Sequence, residues 1–523
     1  MPEPAFRYDE IPYEGHAYDG SHPNRLAAMA TLFGMDPPDP ARARVLEIGC
    51  AFGNNLIPMA YTLPRAELFG IDLSGHQIAQ GQEVVRSLGL EGRVTLQQLD
   101  LMALDRSFGA FDYIVCHGTW SWVSDEARTH IFRVCRELLA EHGVAYVSYN
   151  THPGWRMRGM IRDVMLYHVA GFDDPRAKLG QARALLDFLA EASPADAPHG
   201  LLLRQEVELL SKLNDDYLFH DHLSDMNEPV YFHEFVDQAR GAGLQYLGEP
   251  HLVTMVPPNL PASWREALDK VSGGDLVRRE QFLDFVKNRS FRQTLLVHEE
   301  QPLERRLTWR PMTRMHFASQ GRVVQEPGEG ATQLVIAWED DEQLTTDDPL
   351  VVQALLALLR AWPRFVAFDD LLDRAREAAG SARSREEDRV DLGANLLTCY
   401  ANAAVEIGVV DLPVAGESDR PRAFPFARHQ VETGARWATS LRHVSGTMDP
   451  VAREVVRWAD GTRDHESLRD RLVEAALDGR LPVLDEKTQA RVTDPERLRP
   501  TLEEVLARSL DVLARNSFLM AAE

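Results

Sequence analysis

The sequence predicts a parallel α/β sheet wound with helices on both faces for its first third, with helical and mixed α/β domains after it. Three observations carry this expectation. Five apolar runs recur between residues 44 and 150, separated by segments of helical periodicity. Several of these runs are continuously apolar rather than alternating, as strands are when both sheet faces are covered. Acidic residues or glycines close the first three runs, at the strand ends where open parallel sheets hold ligands.

Residues 1 to about 20 read as extended. His22-Pro23 opens a helix over NRLAAMATLFGM, since proline is tolerated in a first turn, and DPPDPAR ends it. ARVLEIG is a buried strand and AFGNNLIPMAYTL the helix after it. ELFGID and SGHQIAQGQEVVRSLGL form the next pair, and RVTLQQLD is a third strand. FDYIVCHG is a fourth, followed by a loop and the helix DEARTHIFRVCRELL, and GVAYVSYNT is a fifth. Strands alternating with helices at this spacing imply parallel pairing through crossover helices.

From 156 to 240 the pattern is helical, and GLQYLGEP then reads as one more strand at the edge of the same sheet. The helices before it become an inserted lid. Further on, short strands are expected at RQTLLVHE and TQLVIAWE. Helices are expected at DPLVVQALLALLRAWP and FDDLLDRAREAA, and a helix plus strand in LGANLLTCYANAAVEIGVVDL. Helices followed by short strands resemble a winged-helix module. The last region is helical. The chain divides into a cap at 1–40, a core at 41–257 with its insertion at about 156–240, a middle domain at 258–415 and a C-terminal domain at 416–523.

The 523 residues exceed what one core holds, and 44% apolar with 26% charged residues is globular composition. A net charge of −24 argues against nucleic acid or an anionic membrane as partner, and permits a cationic one such as a lysine-bearing protein. Cys50, Cys116, Cys135 and Cys399 form no CxxC pair and fit no zinc site. Reduced, buried thiols in a cytoplasmic protein are expected. MPEPAFRYDEIPYEG does not read as a signal peptide, and no apolar stretch approaches a membrane span.

Chemistry concentrates first in Glu47-Ile48-Gly49-Cys50-Ala51-Phe52-Gly53-Asn54-Asn55, between the first strand and its helix. Glycines there admit close approach of a ligand to backbone. Asp72 ends the second strand, where an acid accepts from both ribose hydroxyls, or else caps the next helix. Asp100 ends the third, placed to accept from an adenine amine beside Leu101 and Met102, or to face solvent. The spacing G-x-x-x-G is not the G-x-G-x-x-G of a dinucleotide turn.

Glu47 to Gly53 resembles motif I of class I methyltransferases, usually [DE]-x-G-x-G-x-G, with Ala51 replacing the middle glycine. The resemblance implies a Rossmann-like core, S-adenosyl-L-methionine as cofactor and S-adenosyl-L-homocysteine as product. Gly49 and Gly53 would line the methionine part, Asp72 would hold ribose and Asp100 would sit beside adenine. Cys50, Ala51, Asn54, Leu73 and Leu101 share the same turns. RLAAMATLFGMDPP, FDYIVCHGTWSWV, VSYNTHPGW and NEPVYFHEFVDQARGAGLQYLGE are similar to bacterial methyltransferases with a methyltransferase regulatory domain. That group includes rickettsial-type enzymes that methylate lysine of outer-membrane proteins.

In a methyltransferase, the acceptor site belongs in the loop after the fourth strand, over Cys116, His117, Gly118, Thr119, Trp120, Ser121 and Trp122. Trp120 and Trp122 would wall an apolar slot or meet a cation through the ring face, or pack the helix beneath. His117 has three readings: a contact to the cofactor's amino-acid part, a proton acceptor, or a structural histidine. Cys116 reads as a small buried apolar residue. Tyr149, Asn150, His152 and Trp155 follow the fifth strand across the pocket, with Tyr149 and Asn150 able to orient an amine. Tyr13 and Tyr18 either close over the site or pack on the surface. His220, Asp221 and His222, near Asp225 and Glu228, suggest an acceptor-facing loop rather than a metal site, since methyl transfer to nitrogen needs no ion.

The expected function is therefore methyl transfer to the side-chain amine of protein lysine. Two rivals stand beside it: a small-molecule or natural-product methyltransferase, and a cofactor-binding regulatory protein. DNA or RNA methylation is disfavoured by the charge and by the absence of an NPPY-like tetrapeptide. A homodimer is an open expectation.

Overall fold

The five apolar runs become β1 (Arg44–Ile48), β2 (Glu67–Asp72), β3 (Val94–Gln98), β4 (Phe111–Cys116) and β5 (Leu139–Asn150). Two later strands, β6 (Leu244–Gly248) and β7 (Phe291–His298), join them in one seven-stranded sheet of order β3-β2-β1-β4-β5-β7-β6. The structure is a computed structural model describing residues 15–212, 215–255, 261–328, 333–338, 343–416, 418–484 and 490–521. β1 to β5 are mutually parallel, with Ile48 opposite Ile71 and Glu47 opposite both Gly70 and Val115. β7 runs antiparallel to both of its neighbours. The edge strand at GLQYLGEP is present as β6.

β7 overturns one expected boundary, because RQTLLVHE belongs to the core sheet rather than to a middle domain starting at 258. Its polar start hid this. Arg292 is buried and bonds Glu249 (2.6 Å), Asp284 (2.8 Å) and Glu280 (3.2 Å), so a charge that would be prohibitive alone is paired on three sides. Thr294 Oγ1 donates to Glu249 Oε1 (3.2 Å) in the same network.

The helix expected over AFGNNLIPMAYTL shrinks to Met59–Thr62. Ala51 (φ 48°) and Gly53 (φ 77°) take left-handed conformations that interrupt a helix, and Pro58 brings no N–H. The helices Gly75–Ser87 and Asp125–Leu138 form as expected, each capped by a serine side chain, Ser74 and Ser124, that accepts from a backbone N–H.

The insertion consists of helices Gly154–Val169, Pro175–Ala192 and Pro198–Lys212, returning through a π-helical turn at Leu218–His222. It has its own core of Met165, Leu179, Leu186, Leu203, Leu210 and Phe219, separate from the main one. Helix Phe232–Gly241, expected within the insertion, packs instead in the main core, where Phe232 and Phe235 are fully buried.

Beyond β7, two three-stranded sheets form: β12-β8-β13 and β11-β10-β9. Their strands are β8 (His316–Ala318), β9 (Arg322–Gln325), β10 (Leu334–Ala337), β11 (Gln343–Thr346), β12 (Val366–Ala367) and β13 (Glu406–Gly408). The C-terminal region places the hairpin β14 (Trp437–Thr439) and β15 (Ser445–Thr447) among helices Pro425–Glu432, Pro450–Trp458, His465–Asp478 and Pro495–Arg515. One buried apolar cluster runs from Val45 and Ile114 through Phe317 and Leu355 to Phe424 and Leu506, so these regions pack on each other without a break. Among the described residues no helix is long and apolar enough to cross a membrane, and all four cysteines are buried and unpaired.

Candidate active site

The strand order reverses between β1 and β4, so the loops leaving these strands diverge and open a crevice. A cavity of about 710 Å³ lies there, within the roughly 300–1,000 Å³ of small-ligand sites.

The turn after β1 forms one end. Gly49 (φ 75°) has no room for a side chain, because a Cβ would collide with Thr119 Oγ1. Ala51 and Ser74 both donate backbone N–H groups to the Asp72 carboxylate (2.9 Å each), fixing it at the end of β2 where it borders the cavity. Asp100 accepts from Met102 N–H (2.9 Å) and caps a short turn, yet it also borders the cavity with Leu99, Leu101 and Met102. For Asp72 and Asp100 alike, the local hydrogen bond and the place in the cavity coexist. Cys50, Asn54 and Leu73 border the same end.

Glu47 and Gln77 mark this end chemically. Glu47 is buried, its Oε1 accepts from Asn55 Nδ2 (2.8 Å), and its Oε2 has no partner. Burial pushes its carboxyl up to about 8; the Asn55 bond works against that rise and the Asp72 charge adds to it. Gln77, in helix Gly75–Ser87, is buried with Nε2 unpartnered. Buried polar groups are rarely left unsatisfied. A carboxyl oxygen and an amide nitrogen without partners, on residues that border one cavity, suit a ligand that carries donors and acceptors together, as the aminocarboxylate and ribose parts of S-adenosylmethionine do.

His117 borders the cavity after β4, its ring stacked on Tyr18 (3.5 Å) and its Nδ1 bonded to Tyr146 OH (2.8 Å). Its depth among protein atoms holds the imidazole down at about 3, so it is neutral at physiological pH. Gly15 and His16 border the cavity beside Tyr18; Tyr13 lies outside the described residues.

The far end is aromatic. Trp122 meets Trp155 edge to face (6.4 Å), the Arg158 guanidinium lies over the Trp155 ring (6.0 Å), and Arg158 Nη1 donates to Tyr217 OH (3.4 Å). Asn150, His220, Asp221, Met226 and Phe291 complete it. Asn150 Nδ2 donates to Asn227 Oδ1 (2.9 Å) and its N–H to Ser121 Oγ (2.8 Å), which fixes it at the end of β5. The inserted helices thus reach the cavity through Trp155, Arg158, Tyr217, His220 and Asp221.

Several expected site residues lie elsewhere. Trp120 is fully buried among Phe132, Tyr149 and Phe235, and does not border the cavity. Tyr149 stacks on Phe235 (3.8 Å) and its OH bonds Thr294 Oγ1 (3.0 Å), so it too belongs to the core. Alternation along a strand sends Tyr149 and Asn150 to opposite sides. Gly53 packs on Leu96 and Ile57 rather than on the cavity. Cys116, by contrast, is buried as its reading expects, with its thiol pushed up by burial. His152 sits against Tyr231 (5.1 Å), and His222 bonds Glu206 (3.0 Å) inside the insertion. No group of three or more His, Cys, Asp or Glu is arranged to hold a metal among the described residues.

The sequence reading passed over Gln77, Arg158, Tyr217 and Phe291. Arg158 carried a signal, one helical turn after Trp155. Phe291 carried none, because its strand joins the sheet from far along the chain.

Residues 45–143 match the family described as "Methyltransferase domain", 214–298 that described as "Predicted methyltransferase regulatory domain", and 419–518 that described as "PKMT, C-terminal winged helix domain". The winged-helix match falls on the C-terminal region, not on the middle region where helices and short strands suggested it. Fold, motif and cavity define a class I S-adenosylmethionine-dependent methyltransferase.

RP789 of Rickettsia prowazekii (strain Madrid E) is 32% identical over 524 residues, covering 98% of this chain and 93% of that protein. RP028 of the same organism is 39% identical over 234 residues, 45% of this chain and 93% of that one. The structure of PKMT2 from Rickettsia typhi in complex with AdoHcy superposes with a TM-score of 0.85 at 29% identity, over 97% of this chain and 100% of that one. The chain belongs to this rickettsial-type methyltransferase family, with a class I core, a regulatory domain and a C-terminal winged-helix domain.

Proposed function

We propose that the enzyme methylates the side-chain amine of lysine in a protein substrate. The observation that carries this is the continuity of one cavity, from the cofactor end at Glu47, Asp72 and Asp100 to an aromatic slot at Trp122, Trp155 and Tyr217. A PKMT2 that matches nearly the whole chain supports the same reading.

When bound, S-adenosylmethionine supplies an electrophilic methyl on a sulfonium with a good leaving group. Asp72 would hold the ribose, Asp100 with Leu101 the adenine side, and Glu47 with the Gly49–Ala51 turn the aminocarboxylate. The rest of the task is to hold a neutral amine in line and exclude water. A slot walled by Trp122, Trp155 and Tyr217 fits the aliphatic stem of lysine, and ring faces tolerate its ammonium before deprotonation. Desolvation and the Arg158 charge both favour the neutral amine. Asp221 or His220, which border the cavity from the insertion, would take the proton, and Asn150 would orient the nitrogen.

The test is labelled methyl transfer from S-adenosylmethionine into a lysate, with protein and small-molecule fractions counted separately and Asp72→Ala as control. Label in protein, mapped by mass spectrometry to lysine and absent with the variant, is expected. Label confined to small molecules would overturn the proposal.

A further inference from the structure

The C-terminal hairpin reaches the cofactor end of the cavity. Between β14 and β15 the chain turns tightly, His443 taking a left-handed φ of 63° with its N–H bonded to Ser440 O (3.0 Å). The turn is braced from outside: Leu441 N–H donates to Ser517 O (2.9 Å), and Arg442 pairs with Glu406 of β13. His443, only 3% exposed, then projects into the methyltransferase core, where its Nε2 lies 2.8 Å from Asn55 Oδ1.

The protons in this contact can be assigned. Asn55 Oδ1 also lies 2.9 Å from the Tyr18 backbone nitrogen, and a backbone N–H only donates. That atom is therefore the amide oxygen, and the other atom is the NH₂ that donates to Glu47 Oε1 (2.8 Å). His443 must then carry its proton on Nε2. Burial holds its imidazole down at about 3, with Asp19 opposing, so the ring is neutral and available in this tautomer. The same hairpin holds the segment beside the cavity: Ser445 Oγ accepts from Ala17 N–H (3.3 Å), and Trp437 meets the His16 ring edge to face (5.3 Å).

We propose that His443 is a positioning residue of the cofactor site: by donating to Asn55 it fixes the amide that holds Glu47, and so makes the C-terminal domain part of cofactor binding. It rests on the cofactor reading of the cavity. A chain severed from this hairpin would keep every residue of motif I, with Asn55 Oδ1 held by Tyr18 N–H (2.9 Å) and Ser21 Oγ (3.2 Å) alone.

The test is calorimetric binding of S-adenosyl-L-homocysteine to the full chain carrying His443→Asn or His443→Gln. Gln places an amide nitrogen as many bonds from Cα as Nε2, whereas Asn is one bond short. Asn also suits a left-handed backbone better than His, so weaker binding by that variant cannot come from backbone strain. His443→Asn should bind about tenfold more weakly and His443→Gln within about threefold of the parent, the range of one lost hydrogen bond in a buried network.

On an Asn55→Ala background, His443→Asn should add less than about twofold, because the route through Asn55 is already gone. A merely structural role would lower the melting temperature and leave affinity alone. Parent-like binding by His443→Asn, or an undiminished effect on the Asn55→Ala background, would overturn the proposal. If His443→Asn does not fold, His443→Met against His443→Gln makes the same comparison, donor against no donor, at equal length with two unbranched side chains. Failure of the parent chain to bind would instead count against the cofactor reading.

Discussion

The two ends of the cavity are built differently. The end proposed for the cofactor comes from three successive strand ends, Glu47–Ala51, Asp72–Leu73 and Leu99–Met102, within some fifty residues of chain. The end proposed for the acceptor is assembled from the loop after β4, the end of β5, two parts of the insertion and the start of β7. The first end has its lining written locally, with backbone N–H groups holding Asp72 and Asp100, although His443 braces Glu47 through Asn55 from far along the chain. The other depends on how distant elements pack, so substitutions at the two ends should separate cofactor affinity from acceptor turnover.

The sharpest control on that separation is Trp120→Ala beside Trp122→Ala. Trp120 is in the core, so its loss should cost about 3–5 kcal/mol of stability, read as a large fall in melting temperature. Asp72→Ala removes a carboxylate held by two backbone donors and should weaken cofactor binding about 100-fold by calorimetry. A loss below tenfold would break the assignment of that end. Trp122→Ala should lower turnover or acceptor affinity about tenfold with cofactor affinity within twofold. Equal losses in both would show that the ends are not separable.

A smaller effect follows from Glu47. Its folded carboxyl is raised to about 8, so the stability it contributes is present below its ordinary range near 4.5 and is lost as pH rises through 8. Binding of the cofactor's ammonium asks for the opposite, an ionised carboxylate. From roughly pH 6 to 7.5, below the cofactor amine's own titration near 8, affinity should rise by up to about tenfold per unit. Glu47→Gln should flatten that slope. The smallest expected change is Ala51→Gly, which restores the usual motif and relieves a left-handed alanine. It should raise stability by about 1 kcal/mol or less with affinity unchanged.

What the sequence made legible follows the same division. Glu47, Asp72 and Asp100 were readable because a strand end and a side-chain type together imply a place in an open sheet. Trp120 and Tyr149 were misread because residue type named the chemistry but not the side of the strand or turn. Trp122, two positions on from Trp120, borders the cavity while Trp120 lies in the core. β7 was misplaced because Arg292 looks like a surface residue until Glu249 after β6, and Glu280 and Asp284 of the helix Leu276–Lys287, are brought round it from two other segments. His443 had no sequence signal at all, since its partner Asn55 stands nearly four hundred residues earlier.

The late arrival of β7 inside the sheet also bears on biosynthesis. β6 lies beyond it, so neither strand can dock in its final place until translation has passed His298. Until then β5, apolar along Val144–Val147, offers the ribosome-bound chain an open backbone edge. The inserted helices emerge during that interval with a core of their own to close. An expressed fragment ending at residue 257 would carry the whole methyltransferase signature with β5 uncovered, and should precipitate more readily than one extended past His298.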